Sequence, residues 1–486
     1  MEGVNQRFSF TDPVPTLGEL GRVHLVAIGG AGMSAVARLL LARGVRVSGS
    51  DAADSPTLAA LRDSGARVDL GHDAAHVDGV DTVVISSAVR EDNVELAAAR
   101  AAGLRVLHRS QALASLMADT RRVAVAGANG KTTTTSMLVI GLVEAGADPS
   151  FASGGEIAQL GTNAALGAGE AFVVEADESD GSFLVYRPHV AVVTNVQPDH
   201  LDFYGSLEAV ERAYAAFAAS VAEGGLVVAC SDDPGALALA DAARADGRDV
   251  VTYGYDEGAD LRVTGTVPDG LGTTSVFVHD GTERRLRLEV PGAHNVLDAC
   301  AAYLAAVVGL GADPGAVLAG LAGFLGARRR FEVVGEVDGV TVVDDYAHNP
   351  PKVAAVVGTA AEIVARSGSG RLHVVFQPHL YTRTRDFAQE FARALAPADT
   401  VVLLDVYGAR EQPVEGITSS LIGDPLTDLP GERRVVVGAS PDDAVAALVA
   451  TAGPGDLVLT VGAGDVTRLA PRVLEALDVR AAGGGS

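Results

Sequence analysis

The sequence predicts an α/β protein of three domains, and three observations carry that reading. Short Val-rich runs alternate with helical stretches along most of the 486 residues, the pattern of a parallel sheet wrapped by helices. The alternation falls into three blocks, and a chain of 49.4 kDa is too long for one core. Glycine turns stand where strand-like runs give way to helices.

The first block runs from Val23 to about Asp119, with strand-like runs at Val23–Ile28, Val45–Gly49, Thr82–Ser86 and Arg105–Leu107. Its opening strand ends in Ile28-Gly-Gly-Ala-Gly-Met-Ser34, a turn that lets a diphosphate approach the backbone and a helix N-terminus. Nicotinamide and flavin proteins share such turns, and Ala27 denies this one a full Gly-x-Gly-x-x-Gly. The second run ends in Gly49-Ser-Asp51, an acid placed either for a ribose hydroxyl or as a helix N-cap.

The second block, from Arg122 to about Gly326, opens with Arg-Arg-Val-Ala-Val-Ala and then Gly127-Ala-Asn-Gly-Lys-Thr-Thr-Thr-Thr135, followed by a predicted helix over Thr132–Ala145. Only two lysines stand against 35 arginines in the chain, and Lys131 is one of them. Strand, glycine turn, Lys-Thr and helix make a phosphate cradle. Backbone N–H groups and the positive helix end face an anion, a flexible ammonium reaches the outer phosphates, and Thr132 offers a hydroxyl to Mg2+. Lys131 is expected on an exposed loop. The strict Walker spacing has four residues between its glycines and this turn has Ala128 and Asn129 alone, so an ordinary glycine turn stays open at this point.

Buried strands are predicted near Phe172–Val174 and Val190–Thr194. The first leads into Glu175-Ala-Asp-Glu-Ser-Asp180, and strand-end carboxylates beside phosphates are how α/β nucleotide sites hold Mg2+; a solvated acidic loop is the alternative. The second leads into Thr194-Asn-Val-Gln-Pro-Asp-His200, so Glu175 and His200 are expected to converge on one ion, although magnesium prefers oxygen ligands. Asp260–Val290 reads as β-rich, and Pro291-Gly-Ala-His-Asn-Val-Leu-Asp298 then precedes a helix. The Asn295 amide carries the donor and acceptor that pair with adenine, or else caps that helix. Arg328-Arg-Arg330 at the junction suits a transferring phosphate, or is a solvated basic turn.

From Phe331 a hairpin around Asp338-Gly339 leads into strands at Leu372–Phe376, Thr400–Leu404, Arg434–Val437 and Leu457–Val461. Asp344-Asp-Tyr-Ala-His-Asn-Pro350 and Phe376-Gln-Pro-His-Leu-Tyr-Thr-Arg383 both end strands, where open α/β sheets place ligands. His348 and Arg383 are therefore candidates for a third substrate.

A net charge of −25 argues against nucleic acid and anionic membrane as partners, while locally clustered arginines leave anionic small ligands open. Absence of Trp and 5% aromatics speak against base-stacking platforms. Arginine over lysine with abundant Ala, Gly, Val and Asp fits a GC-rich genome better than halophily, since solvating acidic tracts are absent. Cys230 and Cys300 stand alone, as in a reducing compartment. No basic start precedes an apolar core and nowhere do about 18 apolar residues run together, so a cytoplasmic protein is expected. The closing Ala-Ala-Gly-Gly-Gly-Ser reads as a disordered tail or an artificial extension.

Taken in order across roughly residues 20 to 475, these segments resemble the Mur ligase family. The resemblance implies a Rossmann-like UDP-sugar-binding domain at residues 1–120, a central P-loop-type ATPase domain at 121–328 and a Rossmann-like amino-acid-binding domain at 329–486. The implied reaction is ATP-dependent amide formation with Mg2+. The lactyl carboxylate of UDP-N-acetylmuramate takes the γ-phosphoryl group and the amine of L-alanine attacks the acyl phosphate, in peptidoglycan precursor synthesis by a monomer or weak homodimer. By the same resemblance Gly29, Gly30, Gly32, Met33, Ser34, Asp51, Ser87 and Arg109 serve the UDP-sugar. Gly127, Asn129, Gly130, Lys131, Thr132, Thr133, Asn295 and Asp345 serve ATP, and Thr132, Glu175 and His200 the magnesium. Lys131, Arg330, His348 and Arg383 act in the transfer, the last two also at the alanine site.

The chain departs from the family at several places. Gly is usual where Ala27 stands, Thr-His at Ala128-Asn129, an acid at Gln197, a second His at Asn349 and an arginine at Leu380; sibling ligases resemble Asn129. Siblings that add D-glutamate, diaminopimelate or D-Ala-D-Ala typically use a carbamylated lysine in the central domain, and no lysine lies between Thr132 and Pro351. A ligase that recycles a tripeptide onto the same sugar nucleotide more often has Tyr at Ser179. A non-catalytic nucleotide-binding regulator is the remaining alternative.

Overall fold

The computed structural model describes residues 7–409 and 411–483. The chain forms two compact units, Met1–Leu325 and Gly326–Ser486, and the described residues build three sheets. Of the closing segment read as a tail, Ala481–Gly483 continue the last helix, Leu469–Gly483, and 484–486 lie outside the described residues.

The first sheet has five parallel strands in the spatial order Arg67–Leu70, Val47–Asp51, Val23–Val26, Thr82–Ile85, Arg105–His108. The order reverses beside Val23–Val26, so a crevice opens at the carboxyl ends of that strand and of Thr82–Ile85. Sequence reading missed Arg67–Leu70. It is an edge strand with no fully buried residue, and it lacks the apolar run that marks Val23–Val26, buried throughout.

The second sheet has ten strands, ordered Thr282–Leu288, Gly272–His279, Leu261–Asp269, Asp249–Gly254, Leu226–Cys230, Val190–Val193, Arg121–Ala126, Ala171–Glu175, Ser150–Ile157, Thr162–Ala165. Arg121–Ala126 lies between and parallel to Val190–Val193 and Ala171–Glu175, so the glycine turn, the acidic segment and the Thr194–His200 segment all leave the sheet at one edge. The helix Lys131–Glu144 is held close to Pro314–Ala322, because a Cβ on Gly320 would stand 2.9 Å from the Gly141 Cα. One apolar cluster runs through the whole first unit, from Phe10 to Phe324. Cys230 and Cys300 are buried free thiols.

The third sheet, in the second unit, is ordered Glu332–Val337, Val340–Asp345, Leu457–Val461, Leu372–Phe376, Thr400–Leu404, Arg434–Ala439. The hairpin expected at Asp338-Gly339 joins its first two strands, and the remaining pairings are parallel.

Candidate active site

Gly127 and Gly130 are glycines of necessity. Gly127 has φ 143°, and a Cβ there would stand 1.9 Å from the Thr194 hydroxyl oxygen. Gly130, with φ 84°, is the N-cap of Lys131–Glu144, and a Cβ would stand 2.4 Å from Asp298 Oδ1. Asp298 accepts from Thr134 Oγ1 at 2.9 Å, and burial pushes its carboxyl up to about 7. The turn therefore exposes bare backbone N–H groups at a helix N-terminus, which fits a phosphate chain. Thr132 is buried and Thr133 half-buried in the first turn.

Lys131 is not on an exposed loop. Its side chain is 15% exposed, and Nζ donates to the Gly127 carbonyl and to Glu178, 2.8 Å away. The acidic segment folds back over the cradle, so the ammonium already has an anion. Burial alone would lower the lysine pKa, but the Glu178 carboxylate outweighs it and holds Lys131 protonated.

Glu175 accepts from the Gly154 amide at 2.7 Å. His200, at φ 53° before the short helix Leu201–Tyr204, places Nε2 3.8 Å from Glu178 Oε1. The structure thus seats Glu178, rather than Glu175, beside both Lys131 and His200. Among the described residues no group of three or more His, Cys, Asp or Glu is arranged to hold a metal. Thr132 and Glu175 offer oxygens, the donors magnesium prefers, and His200 a nitrogen.

Asn129 and Gln197, both departures from the family, face each other. Asn129 Nδ2 donates to Gln197 Oε1 at 3.2 Å, and Gln197 Nε2 to Asp233 at 3.0 Å. Asn195 accepts from the Asn129 amide at 2.9 Å, closing the turn onto the neighbouring strand end. Asn295 does not cap its helix: Gly292 is the N-cap, and Asn295 Nδ2 donates back to the Pro291 carbonyl at 2.7 Å.

In the first sheet's crevice, Ala27 sits at φ 58°, the left-handed region where glycine is at ease. The Gly29 amide donates to Asp51 at 2.9 Å; Asp51 is no helix cap, since Ser55 caps Pro56–Asp63. Gly30 is the N-cap of Ala31–Ala42. A Cβ on Gly32 would stand 2.3 Å from Arg109 Nη1, so glycine admits the guanidinium. Met33 packs in the core, and the buried Ser34 donates to the Ala31 carbonyl at 3.0 Å. Arg109 pairs with Asp177 at 2.6 Å. Ser87 donates to Asp180, which also lies 3.2 Å from His108 Nε2. A cavity of about 230 Å3 opens beside the Arg109–Asp177 pair, with Gly32, Arg109, Ser153, Glu175, Asp177 and Tyr186 on its wall.

In the second unit the buried Asp345 accepts from the Phe331 and Ala347 amides at 2.8 and 2.7 Å. His348 Nδ1 faces the Tyr346 carbonyl at 2.9 Å, and its ring touches Tyr346 and His379. Burial lowers its pKa to about 4. A ring nitrogen facing a carbonyl carries the proton, so Nε2 keeps the lone pair. Arg383 donates to the His348 carbonyl at 3.2 Å, while Asp386 pairs with Arg385 at 2.7 Å. Arg329 and Arg330 stack over Tyr346 at 4.8 and 5.6 Å, and Arg329 also pairs with Asp344 at 3.3 Å. Leu380 stands at φ 72°.

Asp177 and Glu178 are the residues that sequence reading quoted without assigning. Their only signal was position, two and three residues past Glu175 in a loop leaving a buried strand.

Three family descriptions match the chain: "Mur ligase family, catalytic domain" over residues 22–121, "Mur ligase middle domain" over 125–306 and "Mur ligase, glutamate ligase domain" over 329–464. The chain is 56% identical over 472 residues to a UDP-N-acetylmuramate–L-alanine ligase of Kineococcus radiotolerans, covering 96% of this chain and 98% of that one. It superposes on the crystal structure of a UDP-N-acetylmuramate–alanine ligase of Thermotoga maritima with TM-score 0.79 at 30% identity, covering 94% and 99% of the two chains. A murein peptide ligase of Psychrobacter arcticus superposes with TM-score 0.67 at 25% identity, covering 94% and 99%.

Proposed function

The chain belongs to the Mur ligase family, and from that premise we propose that it is an ATP-dependent ligase joining L-alanine to the lactyl carboxylate of UDP-N-acetylmuramate. The observation that carries the ATP half is the cradle, two side-chain-intolerant glycines and Lys131 at the N-terminus of a buried helix. The choice of co-substrates rests on relatives such as the 56%-identical ligase.

A carboxylate is a poor electrophile, so it must first be activated. Its oxygen attacks the γ-phosphorus of ATP and ADP leaves, giving an acyl phosphate. The L-alanine amine then adds to the acyl carbon and phosphate departs as the amide forms. The cradle amides and Lys131 hold the β- and γ-phosphates and offset the charge that develops in transfer. Thr132, Glu175 and His200 would hold a magnesium ion, which would lend Lewis-acid charge to the phosphate oxygens. In this reading Gly127, Asn129, Gly130, Thr133, Asn295 and Asp345 also serve ATP, and Arg330 meets the transferring phosphate. Gly29, Gly30, Gly32, Met33, Ser34, Asp51, Ser87 and Arg109 serve the sugar nucleotide, Met33 and Ser34 by shaping the turn from within. His348, neutral, orients the amine, and Arg383 holds the alanine carboxylate.

Residues 1–120, 121–328 and 329–486 are assigned to sugar nucleotide, ATP and amino acid respectively. The proposed setting is the cytoplasm, as a monomer or weak homodimer; no helix among the described residues is long and apolar enough to cross a membrane. The test is ADP release with ATP, magnesium and UDP-N-acetylmuramate against a panel of L-alanine, L-serine, glycine and the recycled tripeptide. L-Alanine is expected to give the highest kcat/KM. Preference for the tripeptide would identify a recycling ligase, and ADP release with none of them a non-catalytic regulator.

A further inference from the structure

Two cations of the first unit face the two anion sites, and each is held by a carboxylate of the same short loop. Lys131 Nζ lies 2.8 Å from Glu178, and Arg109 Nη2 lies 2.6 Å from Asp177. The acids are neighbours in sequence, and the loop is pinned at Glu178 and just beyond it. Asp180 accepts from Ser87 and from the Ser182 amide, and the Tyr204 hydroxyl donates to the Glu178 carbonyl. Neither Asp177 nor Glu178 has a part in the reaction described above. Yet a carboxylate occupies on each cation the position a phosphate or carboxylate oxygen of substrate would take, with the same charge and the same hydrogen-bond geometry. Glu178 is 2% exposed, and a buried carboxylate stripped of its cation is strongly disfavoured. Lys131 spends two of its three donors on Gly127 and Glu178 while the loop stays where it is.

We propose that Asp177 and Glu178 are positioning residues that couple the two nucleotide substrates, each a resident anion on the cation its substrate later claims. The proposal rests on the ligase reading. Anionic oxygens of the sugar nucleotide displace Asp177 from Arg109, and ATP phosphates displace Glu178 from Lys131. Because the acids are adjacent, moving one loosens the other, so each substrate binds more tightly once its fellow is present, and the effect is reciprocal.

The test is calorimetry on the full chain with a non-hydrolysable ATP analogue plus magnesium and with UDP-N-acetylmuramate, each alone and each in the presence of the other. Wild type should show tightening of at least about 5-fold in both directions. In Glu178→Gln the analogue should bind more tightly when alone, and the coupling factor should fall toward one. Asp177→Asn should do the same for the sugar nucleotide. Glu178→Asp, which keeps the charge, should restore coupling. Wild-type coupling near one, or a wild-type coupling factor retained in both variants, overturns the proposal alone; so does weaker binding of both ligands together with a lower melting temperature, the mark of a merely structural role. Failure of wild type to bind either ligand overturns the ligase reading as well. Should Glu178→Gln not fold, Asp177→Asn decides, since its side chain is 39% exposed.

Discussion

At residue scale, the turns separate glycines that cannot change from an alanine that is out of place. Ala27 at φ 58° carries a left-handed strain of about 1–2 kcal/mol, while glycine adds about 0.4–1 kcal/mol of unfolded-state freedom. Ala27→Gly should therefore leave stability equal or raised by about 1 kcal/mol, read by thermal melting, whereas Gly127→Ala should lower both stability and turnover. Lys131→Ala should cut turnover by about 10²–10³-fold. It also leaves the buried Glu178 without its cation, a loss of about 3–5 kcal/mol, so the melting temperature falls too. Adding Glu178→Gln should restore the melting temperature and not the rate; an unchanged rate at saturating ATP in Lys131→Ala would remove the lysine from the phosphate site. Lys131 was legible because lysine is so rare in the chain. Its partner was not, since a loop carboxylate three residues past a strand looks alike whether solvated or folded back.

At the scale of elements, the helix Val94–Ala101 shows how much a local pattern leaves unsaid. Glu95 lies in its first turn, where an acid favours the positive helix end and is usually solvated. Here it is fully buried, accepting from Ser50 at 2.6 Å and meeting Nδ1 of His72 and His76 at 2.9 and 2.6 Å. Burial alone would raise its pKa, but His24, 3.7 Å away, and the hydrogen bonds from Ser50, His76 and His72 together bring it to about 2. A folded pKa below the unfolded value of about 4.3 stabilises above that value by about 3 kcal/mol and is lost as pH falls toward 2. Wild type should accordingly lose stability between about pH 4.3 and 2, and Glu95→Gln should be less stable at neutral pH with a flatter acid limb in denaturant titrations. Acid limbs that coincide would show that the cluster is not ionised as drawn. Nothing in the local sequence links Glu95 to His24, His72 and His76; topology brings them together. The same divide runs through the strands. Val190–Val193 and Leu372–Phe376, buried at every position, were read directly, whereas Ser150–Ile157 carries Gly154 and Gly155 and takes its strand form from its neighbour Ala171–Glu175.

For the whole molecule, the proposed cradle for ATP and the residues proposed for L-alanine fall in different compact units, Met1–Leu325 and Gly326–Ser486, so lesions at His348 and Arg383 should separate L-alanine from ATP. His348, held near pKa 4 by burial, is neutral above that pH, so the ring proposed to orient the amine keeps one charge state through neutrality. The acid limb of kcat it controls should lie near pH 4, and a limb near 6.5 that disappears in His348→Gln would contradict the burial. Arg383 tests the division most directly. An arginine at this position could instead cap or salt-bridge the helix that follows, but Asp386 pairs with Arg385, and Arg383 donates to the carbonyl of His348. The guanidinium thus steadies the backbone of the histidine proposed to orient the amine. Arg383→Ala should raise the KM for L-alanine by an amount worth about 2–5 kcal/mol if the pair is desolvated, with small changes in the KM for ATP and for the sugar nucleotide. A purely architectural arginine gives another pattern, because loosening the His348 loop would lower the melting temperature and weaken all three substrates alike. Equal KM shifts with a lower melting temperature would therefore move Arg383 out of the alanine site.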